Sequence, residues 1–150
     1  MPANEWNIRI ISTPGTAAAQ FVPQVPTAAI PPGTPANQLL AQVGDVVTWG
    51  NATDETHWPW PATLNNGTVQ PVLPLPNVVP PPSPPAPPAT LPNGYMSDAI
   101  PAQNSSAPSF VIPSVVQGVT LAAKSVIYYC CSVSIQKNPP VLESGSIQIF

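Results

Sequence analysis

Proline is the residue that most limits what this chain can build. It occupies 25 of the 150 positions, against roughly 5% in ordinary proteins. Each proline lacks a backbone N–H and fixes its own φ, so helix interiors and central strands tolerate it poorly. The apolar runs between the prolines are short, rich in Val and Ile, and closed by Pro, Gly or Asn. That is strand punctuation, and helical signals are scarce. Strands are expected at residues 6–11, 38–43, 46–49, 110–116, 126–133 and 146–150, with Gly44-Asp45 as a turn. The run 126–133 is the strongest, β-branched and aromatic through most of its length. It should be a central strand with 146–150 beside it. Pro113 should confine 110–116 to an edge or a bulge. Many short strands with Pro/Gly turns imply an all-β sandwich or barrel.

Two stretches interrupt the pattern. Residues 14–35 are rich in Ala, Pro and Thr and read as an extended connection. Residues 71–92 contain Val-Pro-Pro-Pro-Ser-Pro-Pro-Ala-Pro-Pro, a polyproline II signature. As polyproline II, residues 80–88 would span on the order of 28 Å. Such segments usually link domains, but the flanking halves are each too short to form a sandwich alone. Residues 71–92 are therefore expected to be an insertion in one domain covering 1–150.

Charged residues are 6% of the chain, against roughly 25% in ordinary proteins. Arg9, Lys124 and Lys137 are the cations. Three cations cannot supply the phosphate contacts that nucleic-acid binding needs, nor hold an anionic membrane surface. No apolar run reaches the length of about eighteen residues that a membrane-spanning helix requires. The start, MPANEWNIRI, lacks the basic and apolar regions of a signal peptide. A surface this neutral is expected either to be covered by partner subunits, glycans or the chain's own Pro-rich segments, or to belong to an unusual but soluble exported protein. Asn51, Asn66 and Asn104 each begin an N-glycosylation tripeptide. Cys130 and Cys131 are adjacent. Neighbouring strand residues point to opposite faces, so a disulfide between them would need a distorted backbone.

Two segments together resemble the cupredoxin, or blue-copper, family. The first is Gly44-Asp45-Val46-Val47-Thr48-Trp49-Gly50-Asn51 followed by Thr56-His57. It is similar to the family strand that leads to the first histidine ligand. The second is Tyr128-Tyr129-Cys130-Cys131-Ser132-Val133-Ser134, then Glu143-Ser144-Gly145-Ser146-Ile147. It is similar to the family's ending, where Cys, His and Met ligands follow in order. A weaker match runs from Tyr95 through Met96, Ser97, Asp98, Ala99 and Ile100 to Pro101. The resemblance implies a Greek-key sandwich of cupredoxin type carrying a long Pro-rich insertion.

The same resemblance implies a degenerate copper site. A blue-copper centre takes two imidazoles and a thiolate with a weak axial thioether. His57 keeps the first imidazole and Cys131 the thiolate. Ser134 stands where the second histidine belongs, Glu143 where the methionine belongs, and the chain has one histidine in all. Aligning on Cys130 instead puts Val133 at the histidine position. His57, Cys131 and Glu143 therefore form a vestigial metal set, with no cofactor expected and copper as the alternative.

His57-Trp58-Pro59-Trp60-Pro61 carries a different signal. Trp58 and Trp60 would share a face in an extended chain, and aromatic surfaces are what polyproline segments dock onto. Trp58, Trp60, Pro80, Pro81, Pro82, Pro84 and Pro85 are thus the expected interaction surface, with core filling as the plainer role for the tryptophans. No nucleophile elbow, phosphate loop or dinucleotide motif is present, so an enzyme is not expected. The expected function is a non-catalytic structural or assembly subunit of an extracellular or envelope structure, as a homo-oligomer or with a partner protein. The alternative is a copper-binding protein, an electron carrier or copper accessory, using His57, Cys131 and Glu143.

Overall fold

The structure is a computed structural model that describes residues 4–25, 30–73, 75, 96–106, 109–116 and 118–150. Its elements are almost all strands: β1(Glu5–Ser12), β2(Ala19–Pro23), β3(Gln38–Ala41), β4(Val46–Asn51), β5(Pro59–Asn65), β6(Thr68–Pro71), β7(Phe110–Val111), β8(Val115–Val116), β9(Val119–Thr120), β10(Val126–Cys131) and β11(Ser144–Ile149). One helical turn, α1(Ser132–Ile135), follows β10. No helix among the described residues is long and apolar enough to cross a membrane.

The strands form two main sheets, ordered β2-β1-β4-β7 and β3-β11-β10-β5-β6, with β8-β9 as a separate hairpin. β1 runs parallel to β4, and β11 parallel to β3. The other pairings are antiparallel. β10 is the central strand of its sheet with β11 beside it. The fold is an all-β sandwich. Its main core is built from alternate residues of facing strands: Ile8, Ile10, Val47 and Trp49 on one side, Ile127, Tyr129, Cys131 and Ile147 on the other. Tyr129 meets Phe21 and Trp49 edge-on, with ring centroids 5.0 and 5.4 Å away.

Several expectations change in detail. The expected strand 126–133 ends at Cys131, because the chain turns helical at Ser132. The stretch 110–116 divides around Pro113 into β7, at a sheet edge, and β8. The supposed connection 14–35 contains β2, an edge strand that can end on Pro23 because its outer side needs no N–H donor. β5 and β6 form a hairpin whose turn residues Asn66 and Gly67 both have positive φ, at 50° and 78°. Asn-Gly is the strongest short hairpin signal.

Trp58 and Trp60 take the plainer of their two expected roles. Both are fully buried and stack edge-to-face 5.5 Å apart with Ala99, Leu75 and Val133 around them. Trp58 Nε1 donates to the Ser97 carbonyl at 2.6 Å, and Trp60 Nε1 to the Val72 carbonyl at 2.8 Å. A buried indole needs such an acceptor. The pair fills a second core. The remaining residues of that expected surface, Pro80, Pro81, Pro82, Pro84 and Pro85, lie outside the described residues.

Candidate metal centre

β4 and β10 both end at the same edge of the sandwich, and the chain that follows each carries the site. After β4, residues 52–57 turn so that His57 forms a bridge with Ile100, through N–H to carbonyl bonds of 3.1 and 2.7 Å. Cys131 closes β10 on the face shared with Tyr129, while Cys130 points to the other face. Both cysteines are free. Burial and the neighbouring Cys131 push the Cys130 thiol up to about 12, so it is inert at ordinary pH. The loop after α1 then returns to the end of β10: the Cys131 N–H donates to the Glu143 carbonyl at 2.9 Å. That bond brings the Glu143 side chain onto Cys131 and His57.

His57 Nδ1 lies 3.1 Å from Glu143 Oε1 and 3.5 Å from Cys131 Sγ. The ligand atoms of His57, Cys131 and Glu143 all fall within 4.8 Å of one another, and all three residues are buried. Ser134 joins them, its hydroxyl donating to Glu143 Oε1 at 2.5 Å. Glu143 Oε2 accepts the Ala19 N–H at 2.5 Å, and Cys131 Sγ accepts the Trp58 N–H at 3.4 Å. The structure thus brings together the four residues of the expected degenerate site. Registering the motif on Cys130 would instead pick Val133, which packs against apolar residues of both cores.

The orientation of His57 is set from behind. Its Nε2 lies 2.9 Å from Thr53 Oγ1. That hydroxyl in turn points its single proton at two acceptors, Asn51 Oδ1 at 2.8 Å and the Glu55 carbonyl at 3.1 Å. The Asn51 amide is itself fixed, because its Nδ2 donates to the carbonyls of Glu55, Ile100 and Pro101. With its proton committed, Thr53 can only accept from the imidazole, so Nε2 carries a hydrogen. In the neutral ring, the lone pair is then on Nδ1, facing Cys131 and Glu143. Sequence reasoning placed Asn51 in the motif before His57 and, with Thr53, in a glycosylation tripeptide, but gave neither a role behind the imidazole. A buried Asn51 with three bonded carbonyls is no acceptor for a glycan; Asn66 and Asn104 are exposed.

Electrostatics follow from the same contacts. Burial alone would lower the His57 pKa, but hydrogen bonds to Cys131 and Glu143, and their charges, raise it to about 9. Burial would raise Glu143, yet the bonds from His57, Ser134 and the Ala19 N–H hold it below the usual carboxylate range. Both shifts favour the charged forms, imidazolium and carboxylate.

A blue-copper ion does not fit these residues. It requires a second imidazole, and the position facing Glu143 holds the Ser134 hydroxyl, a hard and weak donor. What remains is one nitrogen, one sulfur and one carboxylate donor, a three-ligand set of the kind some zinc sites use. Glu143 also lines a surface cleft of ≈ 300 Å³ together with Ala19, Phe21, Asn37 and Leu142. No protein-family model matches the chain, and no curated protein matches it.

Proposed function

We propose that this chain is a cupredoxin-like domain whose function is to hold one metal ion, bound by His57 Nδ1, Cys131 Sγ and the Glu143 carboxylate. The observation that carries this reading is the convergence of three chemically different ligand atoms within 4.8 Å of one another in a buried pocket. Such a set is costly to bury without a use. Its outer contacts are of the kind that orient metal ligands: Thr53 behind His57, Ser134 and the Ala19 N–H behind Glu143. The mixed donor set suits a borderline divalent ion such as copper(II) or zinc.

The test is equilibrium dialysis of the metal-free protein against zinc or copper(II), with thermal melting alongside. One ion per chain is expected. At a hundredfold excess over Kd it should stabilise the fold by about 2.7 kcal/mol. His57→Ala, Cys131→Ala and Glu143→Ala should each abolish the stoichiometric binding. Failure of the wild-type protein to retain any ion would end the proposal.

A second reading is a metal-free structural or assembly subunit, extracellular or in the envelope, with the copper site lost. One observation favours it: the His57–Glu143 ion pair at 3.1 Å and the bonds from Ser134 and Ala19 already satisfy the carboxylate without an ion. The same dialysis separates the two, since this reading expects no retained metal.

A further inference from the structure

We propose that charge balance makes this centre a site for a divalent ion held in that state, so that the domain stores or is braced by the ion instead of passing electrons. The inference rests on the metal-binding reading above and names the class of ion.

Two of the three donors are anionic when they ligate, the Cys131 thiolate and the Glu143 carboxylate, while His57 is neutral. An ion of charge two therefore gives a neutral centre. Copper(I) would leave a net negative charge. His57 and Glu143 are 1% and 2% exposed and Cys131 is 0% exposed, so that surplus charge would sit in a pocket closed to water. Burying an uncompensated charge is strongly unfavourable. Lys137, a cation that feels the charges of Glu143 and Cys131, is solvent-accessible and paired with Glu55 at 2.9 Å. It offers little compensation.

A centre of two imidazoles, a thiolate and a thioether carries one negative charge, and is neutral with copper(I). Replacing the thioether by Glu143 shifts the balance by one full charge toward the oxidised ion. The carboxylate cannot swing away to relieve this, because both its oxygens are anchored, one by Ser134 and one by the Ala19 N–H.

The experiment measures zinc(II) and copper(I) affinities of the whole chain by competition with chromophoric chelators, under anaerobic conditions, for the wild type and Glu143→Gln. The amide removes the charge and keeps the shape. Zinc affinity should fall by at least about tenfold, while copper(I) affinity stays level or rises. Equal losses for both ions would overturn the inference and leave the metal-binding reading intact. Wild-type protein that binds neither ion would overturn both. Should Glu143→Gln fail to fold, Glu143→Met makes the same comparison with a neutral donor, and the same outcomes decide.

Discussion

Asp45 and Glu143 are both buried carboxylates, 3% and 2% exposed, and they sit at opposite ends of β4: one before its first residue, the other at the edge where it ends. Asp45 accepts three N–H groups, from the Asn4 backbone at 3.0 Å, the Gln42 backbone at 2.9 Å and the Trp6 indole at 2.8 Å. These tie the entry of β1 to the turn between β3 and β4. Every partner is a fixed dipole, and none can ligate a metal. Glu143 accepts one N–H and one hydroxyl, and its remaining neighbours are an imidazole and a thiol. Both pKa values are lowered, against burial, by their donors. A lowered carboxylate alone therefore says nothing about function. The difference lies in whether the surrounding groups are themselves potential ligands.

Substitutions should separate the two ends. Cys131→Ala is expected to remove ion binding completely and to cost the metal-free fold about 1–3 kcal/mol, because the buried Trp58 N–H loses its acceptor. Asp45→Ala should leave ion binding in place. It leaves three donors without their acceptor and costs about 2–4 kcal/mol, read as a lower denaturant midpoint, with ion stoichiometry unchanged. Loss of metal in Asp45→Ala would break the contrast.

Packing supports the Glu143 end as well. Gly145 lies opposite Tyr129, and a Cβ there would come within 2.2 Å of the phenol oxygen. Gly145→Ala must displace a fully buried ring and should cost about 1–3 kcal/mol. Chemical denaturation measures this; a neutral result would mean that Tyr129 has room to shift.

The pH dependence of the metal-free protein sharpens the comparison further. Asp45 and Glu143 have folded pKa values below 3.8 and 4.5, so their stabilisation is present above those values and is lost as pH falls through the lower folded ones. His57 works in the opposite direction. Its pKa rises from 6.5 to about 9, so its contribution is complete below 6.5 and disappears as pH climbs through about 9. Stability against pH should therefore show an alkaline decline that belongs to the Glu143 end. His57→Gln should flatten that decline; Asp45→Asn should leave it and alter only the acid side. The smallest effect is expected at the exposed Lys137–Glu55 pair, where Lys137→Met should change stability by less than about 1 kcal/mol.

Much of the sandwich was legible because its central strands obey simple alternation. In β4, Val47, Trp49 and Asn51 are buried between half-exposed neighbours, and in β10 Ile127 and Tyr129 follow the same rule. β2 and β5 were hidden by their prolines. Pro61 gives no N–H to the ladder, but its carbonyl accepts the Val72 N–H at 2.9 Å, so β5 still pairs. The site residues His57, Cys131, Ser134 and Glu143 could be named from two motifs. Their support could not. Thr53 and Asn51 act through a turn, and Ala19 contributes a backbone N–H across 124 residues of sequence. Neither a turn geometry nor a remote amide leaves a pattern in composition or periodicity. The tryptophans left two roles open: an i, i+2 pair looks the same on paper whether its shared face meets solvent or, as here, Ala99 and Leu75.

X-ray absorption at the metal edge of zinc-loaded protein tests the central claim most directly. The account predicts one sulfur scatterer at about 2.3 Å, with nitrogen and oxygen neighbours at about 2.0–2.2 Å. The sulfur shell should vanish in Cys131→Ala. A zinc environment made only of nitrogen and oxygen in the wild-type protein would contradict it, by placing the ion away from Cys131.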